Sequence, residues 1–379
     1  MGQRAGGMDH ERPHRAAPHH VFFPAAALIA ALVVPLKILV VRGLVAADGL
    51  PPAWHGHEML FGFAGAVMGG YLLNSRRPMA IALALLAWLG GRVAILGGLA
   101  TSGAFVILLL AYPLTLFALA GWPMLRAAKS PRNAVFGLIL AGFALGEGLY
   151  ATGVAGWLPV GADAAIRFAA DVVLLLLFTM GGRIIAAASS GAHQARGIHR
   201  HGLAQPRLER AGLALLALML GLDAVGAWPE MAALAAAGAG TVILMRLAGW
   251  RVWELVGTGA LFVLHLGYAW LGLGLILRLA PLVSDRFATL DALHLALVGG
   301  LGTLAMTMMA RVSLQRARRT IGLPSCLVIA IGLVALAAIL RGLSALAMPA
   351  AGDVLLGLAA GAWGVAFLIL LGWLSRIRL

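Results

Sequence analysis

The sequence predicts an all-α polytopic membrane protein: one bundle of about twelve transmembrane helices with both termini in the cytoplasm. Three observations predict it. Of 379 residues, 62% are apolar and 11% charged, whereas a soluble domain is nearer half apolar and a quarter charged. Long uncharged apolar runs recur, such as Leu213 to Gly221 and Leu323 to Leu340, and a span needs about 20 such residues. Most of the 28 Lys and Arg fall in alternate connections, while acids such as Asp48, Asp163, Asp223, Glu230, Asp285 and Asp353 fall in the others.

The predicted spans run near 21–41, 54–74, 79–98, 103–124, 133–154, 164–188, 209–227, 229–248, 253–278, 287–311, 323–346 and 353–375. Glycine, proline and charge mark the breaks, as at Asn74-Ser75-Arg76-Arg77-Pro78 and Trp228-Pro229-Glu230. The basic side, taken as cytoplasmic, carries Arg4, Arg12 and Arg15, then Arg76 and Arg77, then Arg126, Lys129 and Arg132, and ends with Arg376 and Arg378. Residues 1–20 read as a basic, histidine-containing cytoplasmic arm, and 21–379 as a single transmembrane helical domain. The run after the arm is too long for a signal-peptide core. The longest connection, 189–209, reads as a solvated basic cytoplasmic loop holding His193, His199 and His201.

The net charge of +14 is mainly a topology signal, and no nucleic-acid partner is expected because no loop is long enough for a reading module. The one cysteine, Cys326, excludes an intrachain disulfide and Cys-based zinc or iron–sulfur sites. The implied partner is the lipid bilayer.

The chemistry concentrates in Trp54-His55-Gly56-His57-Glu58-Met59-Leu60-Phe61-Gly62-Phe63. It puts two imidazoles and a carboxylate at the mouth of an apolar helix, just after Pro51-Pro52, which fixes the chain for helix entry. Ionisable groups at membrane depth are functional-site candidates by default. Of eleven histidines, four lie in or at the membrane body: His55, His57, His265 and His294. At about 1.5 Å per residue, His265, counted from Trp253, rises roughly 18 Å from the inner side, and His294 lies about 10 Å below the outer edge. All four are therefore expected to converge in the outer half. Arg92, Glu147 and Asp171 reach the same layer, where they serve either the site or a structural ion-pair layer. His55 and His57 lie about 200° apart on a regular helix and cannot chelate one ion together. His55 with Glu58, and Asp291 with His294, are three apart and share a face, so each carboxylate is expected to fix an imidazole tautomer.

Imidazoles without thiolates suit haem iron, copper or zinc. A flat porphyrin needs small residues at its faces, and Gly62, Gly65, Gly267, Gly299 and Gly300 are near. Met306, Met308 and Met309 read as core packing in the inner half. No exposed nucleophile signature and no lysine-bearing phosphate loop occurs.

The opening motif resembles the signature of the NnrS family. So do Gly181-Gly182-Arg183-Ile184-Ile185, Leu264-His265-Leu266-Gly267-Tyr268-Ala269-Trp270, and the stretch from His294 through Gly299-Gly300 to Met309-Ala310-Arg311. The resemblance covers nearly the whole chain. It implies a twelve-helix bacterial inner-membrane protein containing haem and copper, associated with denitrification and with protection from nitric oxide and nitrosative stress. Carried onto this chain, it makes His55, His57, His265 and His294 the cofactor and metal ligands, marks Arg183 as a polar position of the family type, and suggests nitric oxide or metal–nitrosyl species as partners. The chain departs from the family pattern at Tyr71 to Pro78, at Ala186-Ala187-Ala188-Ser189, and at Leu314 to Arg319, where one family histidine is missing. All three departures lie toward the cytoplasmic side. The alternative is a twelve-helix secondary transporter, for which related halves are expected, yet the histidines of segments two, nine and ten show no counterpart pattern.

Overall fold

The computed structural model describes residues 17–73, 77–128, 131–199, 201–255, 257, 259–317 and 322–377. Most of the predicted arm, residues 1–16, and parts of two departures, 74–76 and 318–319, lie outside the described residues.

Among the described residues there is helix and no strand. The helices, in order, are α1 Pro18–Val41; α2, built from Trp54–His57, a π-helical stretch Glu58–Ala64 and Gly65–Leu72; α3 Pro78–Leu96; and α4 Gly103–Arg126. Then come α5 Pro131–Val154, α6 Ala162–Ala195, α7 Pro206–Val225 and α8 Pro229–Trp250. The last four are α9 Gly259–Ile276, extended by a 3-10 turn Leu277–Leu282; α10, built from Thr289–His294, a π-helical stretch Leu295–Leu301 and Gly302–Arg316; α11 Ser325–Leu346; and α12 Pro349–Arg376. Among the described residues, ten helices are long and apolar enough to cross a membrane. α2, which carries the histidines, and α7, which opens on Pro206-Arg207-Leu208-Glu209-Arg210, fall outside that set. Large aliphatic side chains such as Leu83, Leu86, Val93 and Ile107 stay exposed on the outside of the bundle, which suits hydrocarbon rather than water.

Proline at the first turn starts α1, α3, α7, α8 and α12, where its missing N–H costs nothing. Three boundaries differ from the sequence reading. α1 begins at Pro18, so His19 and His20 are helical rather than part of an arm. α6 continues to Ala195, which removes His193 from the predicted loop and buries it. Its Nδ1 donates to the Ser189 carbonyl at 2.8 Å and its Nε2 meets Glu254 at 3.2 Å. α9 begins at Gly259, because the chain turns at Arg251 (φ 51), a 3-10 stretch Val252–Leu255 and Gly257 (φ 100).

The architecture contains a correspondence that the sequence reading did not expect. α2 and α10 each break into a seven-residue π-helical stretch immediately after a histidine, His57 or His294. Both follow the pattern His-x4-Gly-x2-Gly, through Gly62 and Gly65 or Gly299 and Gly302. Their neighbours correspond in order. Gly62 faces Ile29 of α1, and Gly299 faces Trp270 of α9. Arg92 of α3 pairs with Glu58, one residue after His57, and Arg341 of α11 pairs with Asp291, three residues before His294, so the carboxylates differ in register. Gly65 faces Tyr112 of α4, and Gly302 faces Trp363 of α12. Helices α1–α4 and α9–α12 are thus two copies of one packing scheme, with α5–α8 between them in sequence. The glycines exist in both copies because a large side chain from a neighbouring helix sits against them. Segments two and ten are counterparts, contrary to the absence of a repeat read from the sequence.

Candidate functional site

At the mouth of α2, Ala53 adopts φ 55, a left-handed conformation uncommon for alanine. The Tyr150 hydroxyl of α5 donates to the Pro52 carbonyl at 2.9 Å and holds this turn. Gly56 lies against Ile166 of α6, where a Cβ would come within 2.8 Å of a methyl carbon, so the position between the two histidines needs glycine for packing.

His57 is completely buried. Its Nδ1 lies 3.1 Å from Glu58 Oε1 and its Nε2 lies 2.9 Å from Glu147 Oε1. Arg92 Nε reaches Glu58 Oε2 at 3.0 Å, and Arg92 Nη1 donates to the Trp88 carbonyl. The His57 ring stacks on Tyr150 at 4.7 Å. With His57 as imidazolium, two cations balance two carboxylates, the condition for burying such a group. Both ring nitrogens are engaged, so no lone pair faces a metal. Glu58 therefore serves His57 and Arg92, not His55.

The π-helical stretch is held from outside: Trp88 Nε1 donates to the Gly62 carbonyl at 3.0 Å and the Tyr112 hydroxyl to the Gly65 carbonyl at 2.8 Å. Such stretches mark functional positions more often than ordinary helix does.

His55 and His294 form the other arrangement. His55 Nδ1 is buried with no hydrogen-bond partner. His55 lies within electrostatic reach of His294, Lys37 and Arg341. His294 Nδ1 donates to the Leu290 carbonyl at 2.7 Å, which leaves Nε2 with its lone pair. Asp291 does not set that tautomer. It accepts from the Ala288 N–H at 2.8 Å and pairs with Arg341 at 2.9 Å.

His265 does not join this layer. It sits six residues into α9, about 9 Å from the helix start, beside Trp250 with ring centroids 5.8 Å apart. Gly267 faces Leu304 and Gly274 faces Ala296, a register that sets His265 roughly 17 Å along the helix axis from His294. The expectation failed because residues 253–258 were counted as span. His265 Nδ1 donates to the Leu261 carbonyl at 2.8 Å, and its buried Nε2 has no partner.

The expected polar layer divides into two. Arg92 and Glu147 belong with His57. Asp171 lies 3.8 Å from Arg278, which binds Asp223 at 2.8 Å. Asp171 and Asp223 thus face the same guanidinium. Arg183 lies lower, paired with Glu209 at 3.1 Å and over the Phe136 ring at 4.5 Å.

Sequence reasoning missed Arg246. It is buried under Phe178, Trp250 and Tyr268, with Nη1 donating to the Tyr268 hydroxyl at 3.0 Å. A Cβ at Gly182 would lie 2.5 Å from that guanidinium, and one at Gly181 would lie 3.2 Å from the Tyr268 ring. The signal was present in the Gly181-Gly182 pair, which makes room for these two side chains.

The glycines expected to open a porphyrin slot are already filled. Glu58 and Ile29 cover Gly62, Tyr112 covers Gly65, Leu304 covers Gly267, Trp270 covers Gly299 and Leu271 covers Gly300. Among the described residues, no group of three or more His, Cys, Asp or Glu is placed to hold one metal ion.

The family described as NnrS protein matches residues 13–377. The chain belongs to the NnrS family. A comparison with curated proteins finds no match. The NnrS match runs through both four-helix copies and the helices between them, and it takes in all four membrane histidines. Family membership and the apolar helices together make this a multi-pass, NnrS-like membrane protein.

Proposed function

We propose that this NnrS-family protein holds haem and copper in the inner membrane of a bacterium and protects the cell from nitric oxide, in metabolism linked to denitrification. The observation that carries the reading is the buried Nδ1 of His55, which meets no hydrogen-bond partner and lies within electrostatic reach of His294, whose Nδ1 is tied to a carbonyl and whose Nε2 keeps its lone pair. A neutral imidazole pair without thiolates suits copper or haem iron. Lys37 and Arg341, close to His55, suit the carboxylates of a porphyrin bound at this half-buried edge; the filled glycines offer it no slot deeper in. His265, with its own bare Nε2, suits a second and separate metal position.

The bound metal would supply a place for nitric oxide or a metal–nitrosyl species to attach. The protein's own residues do the rest. The Leu290 carbonyl fixes the His294 tautomer, Arg341 and Asp291 hold the end of α10, and the His57 network braces the turn that presents His55. The test is an absorption spectrum with metal analysis on one detergent-purified sample, expressed with adequate haem and copper. A Soret band and bound copper are expected; absence of both overturns the reading.

A second reading, a secondary transporter, gains support from the two matching four-helix copies, since internal repeats are common in transporters. Counterflow in proteoliposomes separates the two.

A further inference from the structure

A cavity of about 90 Å³ lies where the two copies meet. Its walls come from the same positions of α2 and α10, counted from their histidines: Ala64 with Leu301, Val67 with Leu304, and Met68 with Ala305. α6 closes the third side with Val173, Leu177 and Gly181. Apart from Tyr71 at one end, every lining residue is apolar. The cavity therefore lies between the two corresponding π-broken helices, and the side chains of neither copy fill it.

Its two ends differ. Ala64, Val173 and Leu301 are buried, and Ala64 and Leu301 sit seven residues beyond His57 and His294, roughly 10 Å deeper. At the other end Tyr71, Met180, Ile184 and Met308 are only half-buried. The cavity is a blind pouch that ends below the histidine layer and opens at the end farther from it.

We infer that this pouch binds a small, uncharged, apolar molecule that reaches it from the bilayer. Three observations select that class. Apart from Tyr71 at the mouth, no side chain lining the pouch can hydrogen-bond, so water gains little inside, and apolar cavities of this kind stay dry. A cavity of about 150 Å³ holds benzene or xenon, so this smaller one suits a diatomic or similarly compact molecule and is far too small for a porphyrin. Its mouth lies among apolar residues at membrane depth, where such molecules concentrate. The inference goes beyond the cofactor reading and does not need it, because it rests on α2, α6 and α10 alone.

Xenon is the probe. Crystals of the full chain under xenon pressure should show one atom between Ala64, Leu177 and Ala305. Ala305→Leu, which projects into the pouch from α10, should abolish that occupancy, as should Ala64→Leu from α2. Thermal melting of each variant establishes that it is folded, and either folded variant suffices. The inference fails if the wild-type pouch takes no xenon, if it is occupied by an ordered acyl chain, or if a folded variant keeps the xenon. Metal content plays no part in this readout, so the two ideas fail separately.

Discussion

The two copies of the α2/α10 scheme use the same parts to opposite ends. Each has a histidine before a π-helical stretch, a carboxylate near it and an arginine sent from the following helix. In α2 the set is closed. His57 is fully buried, both ring nitrogens meet carboxylates, and Arg92 completes the charge balance. In α10 the set is open. Arg341 pairs with Asp291 and also lies 3.4 Å from His294 Nδ1, the Leu290 carbonyl accepts from that same nitrogen, and Nε2 keeps its lone pair within electrostatic reach of His55. Duplicated scaffolds can thus divide labour: one copy fixes the architecture, and the other keeps a lone pair available.

The largest expected effect lies in the closed copy. Removing one partner of a buried ion pair leaves an uncompensated charge and costs about 3–5 kcal/mol. Glu147→Ala and Arg92→Ala should therefore lower the melting temperature sharply and reduce folded yield. The counterpart change, Arg341→Ala, breaks a pair whose side chains are 18% and 15% exposed, and should cost only about 1 kcal/mol, toward the surface-pair limit. Equal losses in the two copies would break the contrast. An intermediate effect, about 1–3 kcal/mol of overpacking, is expected for Gly182→Ala, which pushes into Arg246; differential scanning of the purified variant reads it. The smallest is Trp88→Phe or Tyr112→Phe, each losing one hydrogen bond to a carbonyl of the α2 helix, about 1 kcal/mol. If these two changes leave stability untouched, the π-helical geometry is not held from α3 and α4.

The fold was legible because hydrocarbon tolerates few sequences: apolar runs, proline starts and alternating charge located the helices to within a few residues. The site was legible only in part. The spacing of His55 and His57 implied different surroundings for the two rings, but which one would be sealed depended on Glu147, ninety residues away. The π-helical stretches add a residue per turn that no periodicity in so apolar a segment reveals, so the counterparts α2 and α10 stayed hidden. His265 was misplaced because Val252 to Leu255 are apolar enough to pass for span, while Arg251 and Gly257 turn the chain there.

The most direct test compares His55→Ala, His294→Ala and His57→Ala in one series, reading haem absorbance and copper content against melting temperature. His55→Ala and His294→Ala should strip cofactor from the outer centre while the protein still melts cooperatively near the parent temperature. His57→Ala should chiefly lower the melting temperature, with whatever protein stays folded still carrying its metal. The reverse pattern, with cofactor lost only from a stably folded His57→Ala protein and retained in the other two, would contradict the division between the closed and open copies.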